Sequence, residues 1–419
     1  MKILFVIDQY KSHNNGISIS TVRFADSLRK VGHEVRIVTT GEPDENLYIV
    51  PERHVLIATW YAHAQDQLFA KPKLDVLQEA ISWCDVVHFL MPWKLSQTGV
   101  KIAKKLHKPY TAAFHVQAEN VTYNIGIGKS KFAINFIYWM FRNMFYKNVK
   151  HIHCPSQFIA DELKAHKYTN QLHVISNGIN DCFTPIQNEK PSECKDKIII
   201  TMVGRLSIEK KQDILIKAVA KSKYKDKIQL IFAGRGPRTN YYKKLAKKLP
   251  IQPIFDKYCT QDLIKVLQYS DLYVHAAEVE IEAISCLEAM ACGLVPIISN
   301  SPVSATKQFA LTEKSLFENG NSTDLANKID YWIEHPEEKA EYSKQYAEYV
   351  KNYHIATSIQ KFEQMLQTAM DENNVAEQKA VANAANEIKM DIADNTIDNE
   401  DNVVTGEIWF FNKREKAFC

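Results

Sequence analysis

The sequence lacks the patterns that mark several broad classes of protein. Its eight cysteines are scattered over 419 residues, and no two of them form a Cys-x-x-Cys pair. This scatter argues against a disulfide framework or a structural zinc site and fits the reducing cytoplasm. The longest nearly unbroken apolar run, 132–141, is far shorter than the ~18 residues of a membrane-spanning helix. The opening MKILFVID is not followed by a small-residue cleavage site, so no signal peptide is expected.

Charge is divided unevenly along the chain. The whole sequence has 52 Lys and Arg against 49 Asp and Glu, whereas residues 371–419 have 5 against 11. The rest of the chain is therefore basic, which suits nucleotide phosphates, an anionic membrane or nucleic acid. No clustered basic and aromatic pattern of a known nucleic-acid-binding module is present, so no nucleic-acid partner is expected. The overall composition, 46% hydrophobic and 24% charged, is that of an ordinary globular protein.

Short apolar, β-branched runs alternate with helical patterns through most of the chain. The run KILFVID predicts a buried parallel strand, the next helix is expected to stop at Gly32, and HEVRIVTT predicts the second strand. A second series of the same kind begins near Lys195. This alternation predicts an α/β fold with two doubly wound parallel sheets. Ligands of such sheets bind at the carboxyl ends of the strands, so we expect the site in a cleft between the two domains.

Composition changes mark the domain boundaries. The polar segment 183–196 contains two prolines and indicates a linker, which places one Rossmann-like domain at 1–185 and the next at 186–350. A helix in 351–370 is expected to pack back toward the first domain. Residues 371–419 are acidic and poorly patterned, so we expect them to be disordered, although their apolar and then basic end, GEIWFFNKREKAF, could dock on another surface.

Two carboxylates stand out in the segment 278–299. Glu280 and Glu288 are eight residues apart, and Ser285 precedes Glu288 by the spacing of a capping box. One interpretation is that Glu288 only caps a helix. The other is that both carboxylates face the cleft, where they could accept hydrogen bonds from vicinal hydroxyls of a ribose or a hexose.

Two cations stand out in the loop that follows the first strand of the second domain. This strand is expected to end at Gly204, and Arg205 and Lys210 lie between it and a helix. The N-terminus of a helix offers N–H groups and a positive dipole end, which suit a phosphate. Cations on a loop can also be simply solvated, and the spacing alone leaves both interpretations open.

Taken in chain order, these segments resemble the retaining, nucleotide-sugar-dependent glycosyltransferases of family four, which have the GT-B fold. The resemblance covers roughly residues 1–370. It is carried by ISNGI (175–179) at the end of the first domain, and in the second domain by GRLSIEK (204–210), AGRGP (233–237) and LEAMACGLVPII (287–298) together with Glu280. In the first half it is carried by the glycine loop at Asn15-Gly16, GHEV (32–35), DVVH (85–88) and FH (114–115).

The resemblance implies a function and a set of site residues. The first domain would bind the acceptor and the second domain the donor, which would most commonly be a UDP-sugar. No cofactor and no metal are implied, and the configuration at the anomeric carbon would be retained. The alternatives are a nucleotide-sugar epimerase or a phosphorylase on the same fold, or a non-catalytic nucleotide-sugar-binding module. The residues implied in catalysis are His115, Arg205, Lys210 and Glu280, and those implied in donor binding are Gly16, Ile281, Ala283, Ile284 and Glu288.

The sequence departs from the family pattern next to these residues. Ile281-Glu282-Ala283 stands where Gly-Phe-Gly is usual, and Lys211 replaces a glycine. With two glycines lost after Glu280, we expect that loop to adopt backbone conformations that are open to residues with a Cβ.

The segment 128–150 concerns the acceptor. It carries seven aromatic residues and five Lys or Arg, which would let a helix lie in a membrane interface, although a core helix of the first domain is the alternative. The nearby HVQAENVTYNIG (115–126) resembles relatives that act on lipids such as diacylglycerol. We therefore expect a lipid or a lipid-linked cell-envelope glycan as acceptor, and a cytoplasmic protein at the inner face of the membrane. The residues expected to contact the membrane or the acceptor are Phe136, Trp139, Phe141, Arg142 and Phe145.

Overall fold

The computed structural model describes residues 1–11, 16–54, 68–124, 126–128, 130–186 and 188–397. The chain divides into two units, Met1–Met370 and Asp371–Cys419. The first unit contains two parallel sheets, each with helices around it, so the predicted α/β class with two doubly wound domains is confirmed. Asn15, which was expected in the glycine loop, lies outside the described residues, whereas Gly16 begins the first helix.

The first sheet has seven strands in the order β3-β2-β1-β4-β5-β6-β7, and each pair of neighbours is parallel. The interior strand β1 is buried without interruption from Ile3 to Asp8. A strand that is covered on both faces needs such a continuous apolar run, which is why KILFVID was readable as a buried parallel strand. The strands are β1 (Lys2–Gln9), β2 (Glu34–Thr40), β3 (Leu47–Ile49), β4 (Val86–Phe89), β5 (Tyr110–Ala113), β6 (His151–Cys154) and β7 (Gln171–Val174).

The second sheet has six strands in the order β10-β9-β8-β11-β12-β13, again with parallel neighbours. The crossing from the first sheet to the second runs through the predicted linker segment between β7 and β8. The short strands β3 and β13 were not singled out in the sequence, since three and two residues are too few to show a period. The strands are β8 (Ile198–Val203), β9 (Ile228–Ala233), β10 (Ile254–Asp256), β11 (Leu272–His275), β12 (Pro296–Ser299) and β13 (Leu316–Phe317).

Helices connect the strands and cover both faces of each sheet. As predicted, α1 is followed by a glycine with a positive φ angle, Gly32, which lets the chain turn into β2. None of the described helices is long and apolar enough to cross a membrane. The helices of the first domain are α1 (Gly16–Lys30), α2 (Leu74–Trp83), α3 (Lys94–Lys105), α4 (Ala118–Asn124), α5 (Lys131–Met144) and α6 (Gln157–Ala165). Those that follow are α7 (Gln212–Val219), α8 (Thr239–Ala246), α9 (Thr260–Tyr269), α10 (Ile284–Ala291), α11 (Ser322–Glu334), α12 (Pro336–Tyr349) and α13 (Ile355–Ile397).

The chain returns to the first domain beside the point where it first left it. The amide of Ile179 donates to the carbonyl of Tyr353, and the amide of Ile355 donates to the carbonyl of Ile179. Gly178 is tightly packed there, because a Cβ at this position would lie 2.8 Å from the Cα of Ile355. Beyond this crossing, the first turns of α13 pack on the first sheet, with Phe362 buried edge-on against Phe5 and Phe24.

The structure corrects one expectation for the C-terminal segment. The predicted disorder of 371–419 was wrong for residues 371–397, which continue α13 as helix. Their low hydrophobicity led to the prediction, but alanine, glutamate, glutamine and lysine are all strong helix formers. The apolar and basic end of this segment lies outside the described residues.

Candidate active site

The two sheets meet at a cleft that encloses a cavity of ≈ 2430 Å³. Loops at the carboxyl ends of both sets of strands form its walls, which is where doubly wound sheets bind ligands. All the residues implied in catalysis and donor binding line this one cavity, whereas those predicted on α5 do not. The lining residues are Gly16, His115, Arg205, Lys210, Glu280, Ile281, Ala283, Ile284 and Glu288.

Glu280 and Lys210 form an ion pair inside the cavity. The ammonium of Lys210 donates to Oε2 of Glu280, and Nε2 of His275 lies 3.9 Å from the same oxygen. Burial by itself would raise the pKa of Glu280, but the charge of Lys210 and the contact with His275 outweigh it and bring the pKa to about 2. Glu280 is therefore a carboxylate at neutral pH, and it can accept hydrogen bonds from hydroxyls.

Arg205 is held at the mouth of the loop after β8. Its guanidinium donates to Glu209 Oε1 over 2.9 Å, and Ser207 Oγ donates to the same oxygen over 2.5 Å. The neighbouring AGRGP loop approaches very closely, since a Cβ on Gly234 would lie 2.1 Å from the carbonyl oxygen of Gly204. A glycine is thus required in this second loop to keep Arg205 at the edge of the cavity.

The structure decides between the two interpretations of Glu288. Helix α10 begins at Ile284 with Ala283 as its N-cap residue, so Ser285 lies within the helix and the predicted capping box is absent. Ser285 Oγ instead donates to the carbonyl of Val203 and accepts from the Tyr273 hydroxyl. The carboxylate of Glu288 faces the cavity and is bound by Arg23 of α1 over 2.9 Å.

The two loops that lack the usual glycines keep a left-handed backbone. Ala283 has a φ angle of 66° and Lys211 one of 56°, which lie in the small left-handed region that residues with a Cβ can also occupy. The left-handed region costs a residue with a Cβ about 1–2 kcal/mol. At Ala283 the conformation starts α10 at the cavity, and at Lys211 it starts α7. The contacts of the surrounding loops therefore maintain the geometry after the glycine is lost.

His115 follows β5 and reaches the cavity from the first domain. Its ring lies edge-on to that of His153, with centroids 5.6 Å apart, and only 7% of the residue is exposed. Burial lowers its pKa to about 3, and the neighbouring His153 adds to the shift. The imidazole is therefore neutral at physiological pH and can donate and accept one hydrogen bond each.

Sequence reasoning missed several groups that join the two domains around the cavity. Lys211 Nζ lies 2.9 Å from Glu278 Oε2, and the hydroxyl of Tyr123, from the first domain, is hydrogen-bonded to the same side chain. Ser156 Oγ donates to the carbonyl of Ile281 over 2.7 Å. Glu278 is two residues from Glu280 and could have been noticed, but the contacts themselves pair residues more than 60 positions apart and have no local signal.

Glu282, which replaces the usual phenylalanine, is a buried acid at the edge of the cavity. Its Oε2 accepts from the amide and the side chain of Asn177 over 2.9 and 2.8 Å. Burial raises its pKa to about 7, against the opposing effect of its hydrogen bonds with Ser176 and Asn177. Within the ranges that the structure describes, no group of three or more His, Cys, Asp or Glu side chains is placed to hold a metal ion.

The predicted contact face of α5 is partly wrong. Phe141 and Phe145 are 4% and 1% exposed, because they pack edge-on against Trp93 and Phe89 in the core. Arg142 donates to the carbonyls of His166 and Lys167, and so anchors the helix to the end of α6. The exposed aromatic face, named here the α5 face, consists of Phe136 and Trp139, which were predicted, and of Phe132, which was not. Their exposed fractions are 52%, 54% and 83%.

Two Rossmann-like domains with a shared cleft, lined by several cations and carboxylates, are the architecture of the GT-B class. Comparison with family models agrees with this. Residues 14–182 match the model described as Glycosyltransferase Family 4, and residues 184–352 match that of Glycosyl transferases group 1. The chain belongs to this family of glycosyltransferases, as its motifs predicted.

Individual relatives share the same two-domain extent. An alpha-monoglucosyldiacylglycerol synthase of Streptococcus pneumoniae is 26% identical over 318 residues, which cover 72% of each chain. The structure of HepE from Anabaena, solved with UDP-glucose, is 16% identical, covers 88% of this chain and 100% of its own, and has a TM-score of 0.69. The catalytic domain of a cholesterol-alpha-glucosyltransferase from Helicobacter pylori is 51% identical, covers 37% of this chain and 98% of its own, and has a TM-score of 0.37.

Proposed function

We propose that this protein is a retaining glycosyltransferase that moves a hexose from a nucleotide-sugar to a hydroxyl of a lipid or a lipid-linked glycan. The observation that carries the proposal is the convergence of Arg205, Lys210, Glu280, Glu288 and His115 on one cavity between the domains. A nucleotide-sugar has a charged diphosphate between two polyhydroxylated rings. Cations with a carboxylate to either side match that pattern.

The donor is proposed to lie across the cleft with its diphosphate at Arg205 and Lys210. The N-termini of α1, at Gly16, and of α10, at Ile284, both line the cavity and add N–H groups and positive dipole ends. Glu288 would accept from the ribose hydroxyls. Glu280 would accept from hydroxyls of the hexose, with backbone N–H groups of Ile281, Ala283 and Ile284 beside it.

In the proposed reaction, the bond between the anomeric carbon and the diphosphate oxygen breaks, and the electron pair stays on that oxygen. Arg205 and Lys210 stabilise the charge that develops there. The acceptor hydroxyl bonds to the anomeric carbon on the same face, and its proton passes to the departing phosphate oxygen, so the configuration is retained. His115 is neutral because its pKa is depressed, so its proposed role is to hydrogen-bond a hexose hydroxyl. The proposed step uses neither metal nor cofactor, and unchanged turnover in EDTA is the expected result.

The acceptor is proposed to be a lipid because part of the cavity wall on the first-domain side is apolar. The name of the Streptococcus pneumoniae relative gives a glucosylated diacylglycerol as its product. Trp93 links this wall to α5, since its ring packs 5.7 Å from both Phe69 and Phe141. The apolar lining residues on this side are Ile17, Phe69, Met91, Trp93, Val116 and Val121.

Contact with an anionic membrane is proposed through the α5 face. Phe136 and Trp139 stack with centroids 5.8 Å apart on the outside of the helix, and Phe132 continues the same face one turn earlier. Exposed Lys101, Lys147 and Lys150 belong to the same domain. Aromatic side chains at the interface with lysines nearby are typical of peripheral membrane binding. The proposed location is therefore the inner face of the cell membrane.

The test is a transfer assay with a panel of donors and acceptors. UDP-hexoses come first, because HepE was solved with UDP-glucose, and GDP-hexoses follow. Diacylglycerol, monoglucosyldiacylglycerol and cholesterol are supplied in vesicles of phosphatidylglycerol or of phosphatidylcholine. The product is identified by mass spectrometry, and its anomeric configuration by NMR.

The expected result is one glycosylated lipid with the configuration of the donor, formed faster on anionic vesicles. An inverted product would contradict the retaining mechanism. An isomerised donor without transfer would identify an epimerase. Tight nucleotide-sugar binding without any turnover would identify a binding module. Transfer to water-soluble glycans alone would reject the lipid acceptor while leaving the donor site in place.

A further inference from the structure

Arg23 is the charged side chain that ties the proposed ribose site to the opposite domain. It lies in the middle of α1, and its side chain is only 8% exposed. One nitrogen, Nη2, donates to Glu288 Oε1 over 2.9 Å, and the other, Nη1, donates to the carbonyl of Gly178. A single guanidinium thus joins the first domain, the crossing segment and the second domain.

This contact leaves Glu288 with one oxygen anchored and the other available. Oε2 makes no hydrogen bond with any residue that the structure describes, and Glu288 lines the cavity. A carboxylate that rotates freely loses entropy when it binds two hydroxyls, and one that is already fixed loses less. An anchored Oε1 therefore prepares Oε2 for a ligand with vicinal hydroxyls.

The surroundings of Glu288 make its charge depend on Arg23. Burial raises the pKa of Glu288, and the charge and hydrogen bond of Arg23 oppose that shift. The other titratable groups that face it are Tyr273 of β11 and Cys292, one turn further along α10, and burial raises the pKa of both. Glu282 also lies close enough to Arg23 to interact with its charge. Arg23 is thus the one cation that acts on Glu288 among the described residues.

We propose that Arg23 is a positioning residue for ribose recognition, which fixes Glu288 so that its free oxygen accepts from the ribose hydroxyls. The inference rests on the proposed nucleotide-sugar site. Because Arg23 belongs to the first domain, the fixed arrangement exists only while α1 and α10 are in contact. Recognition of the ribose is thereby linked to the approach of the two domains, although Arg23 itself need not touch the donor.

The test compares the affinity for nucleotides with and without the ribose hydroxyls. Dissociation constants of UDP and GDP, and of their 2′,3′-dideoxy analogues, are measured by calorimetry at pH 6 and pH 8 on the full chain. The variants are Arg23→Gln, Arg23→Lys, Glu288→Gln and the double variant Arg23→Gln/Glu288→Gln. Arg29→Gln removes a similar charge from α1 at a position that instead binds Asp26 and the carbonyl of Val35, so it is the matched control.

In the wild type, and in Arg29→Gln, we expect the ribonucleotide to bind about 10- to 100-fold more tightly than its dideoxy analogue. Arg23→Gln should reduce this ratio to below about 3-fold at pH 6 and by less at pH 8, because loss of the Arg23 charge raises the pKa of Glu288 further, and Arg23→Lys should lie between. Glu288→Gln should lose the ratio at both pH values, and the double variant should be no worse than Glu288→Gln.

Two kinds of outcome would overturn the role assigned to Arg23. One of them leaves the proposed nucleotide-sugar site in place, and the other overturns that site as well. An unchanged ratio in Arg23→Gln, or an equal weakening of both nucleotides, would leave the nucleotide site standing and reduce Arg23 to a structural contact. A wild type that binds neither UDP nor GDP would overturn the proposed function together with this inference. Thermal melting of each variant confirms that the folded protein is being compared.

Discussion

Lys210 is the side chain on which the proposed chemistry depends most. It is paired with Glu280 in the cavity, so its ammonium is positioned before any donor arrives. Lys210→Ala is expected to lower kcat by about 10²–10³-fold, because the cation is needed most when charge develops on the leaving phosphate. The dissociation constant of the nucleoside diphosphate should change much less.

Two controls accompany this measurement. Lys217→Ala removes a lysine of α7 that pairs with Asp213 on the surface, and it should leave kcat unchanged. Lys210→Ala leaves the buried carboxylate of Glu280 without its partner, so urea denaturation of this variant is measured beside kcat to separate catalysis from stability. Near-normal turnover in Lys210→Ala would remove Lys210 from the proposed mechanism.

Ala283 carries a conformational cost that a glycine would relieve. Its φ angle of 66° is left-handed, which costs alanine about 1–2 kcal/mol. Glycine avoids this cost, but its greater conformational entropy in the unfolded chain offsets part of the stabilisation. Ala283→Gly is therefore expected to raise the free energy of unfolding by about 0.5–1 kcal/mol, measured by urea denaturation.

The same substitution within α10 provides the opposite expectation. Ala289 is buried in the middle of that helix, so Ala289→Gly should lower the free energy of unfolding by about 1 kcal/mol or more. Equal destabilisation of both variants would contradict the prediction that the backbone of Ala283 is strained.

At the scale of the element, α5 illustrates what a helical pattern leaves open. The spacing of aromatic residues predicted a helix, and the structure has one at Lys131–Met144. Almost every turn offers an aromatic residue on more than one side, so the sequence did not fix which side is buried. The neighbouring Trp93, Phe89 and Phe114 decided it, since their rings pack against Phe141, Phe145 and Tyr138 respectively.

This assignment of faces predicts different results for two substitutions on the same helix. Trp139→Glu places a charge on the α5 face, so it should reduce co-sedimentation with phosphatidylglycerol vesicles several-fold without lowering the melting temperature. Phe141→Glu buries a charge in the core, so it should destabilise the protein by several kcal/mol. Tyr241→Glu on α8 of the second domain is the control, because Tyr241 is 47% exposed but lies on another element. Equal sedimentation of Trp139→Glu and wild type would reject the α5 face as the membrane contact.

At the scale of the whole molecule, three buried histidines in the core of the first domain affect the stability of the protein in acid. His88, His115 and His153 lie on or just after the neighbouring strands β4, β5 and β6, and Phe362 of α13 packs 4.9 Å from His88. Burial depresses the pKa of all three, to about 4 for His153, against 6.5 in an unfolded chain. The unfolded chain therefore binds protons that the folded protein does not as the pH falls from 6.5 toward 4.

This difference makes the protein less stable in acid, with a predictable slope for each histidine. Stability from His153 is complete above pH 6.5 and is lost as the pH falls toward 4, by up to about 1.4 kcal/mol per pH unit. Asp8 and Glu282, with pKa values raised to about 7, have the opposite sign and lose stability as the pH rises toward 7. Comparison with His153→Gln isolates the histidine, because glutamine can still donate to the carbonyl of Ile175.

The expected result is a smaller loss of unfolding free energy between pH 6 and pH 5 in His153→Gln than in the wild type. Urea denaturation at the two pH values measures it. Parallel curves for the two proteins would mean that His153 takes up its proton in the folded state as well.

The sequence by itself determined the architecture and most of the candidate site. Buried parallel strands need continuous apolar runs, and helices between them need glycine or polar ends. The sequence therefore showed most of the alternation of strands and helices between residues 2 and 299, although not the short strand β3. Local motifs with a recognisable spacing contain four of the site residues, Arg205, Lys210, Glu280 and Glu288. These motifs can be found without knowledge of the fold.

Only the tertiary structure decided what those side chains touch. Arg23 and Glu288 are 265 residues apart, Ser156 and Ile281 are 125 apart, and no local pattern marks either pair. The left-handed backbone at Ala283 and Lys211 was also beyond the sequence, because long-range packing can hold a conformation that the local residue disfavours. The physical reason is the same in each case: a cleft between two domains is assembled from segments distant in the chain, and their contacts exist only once both sheets have folded.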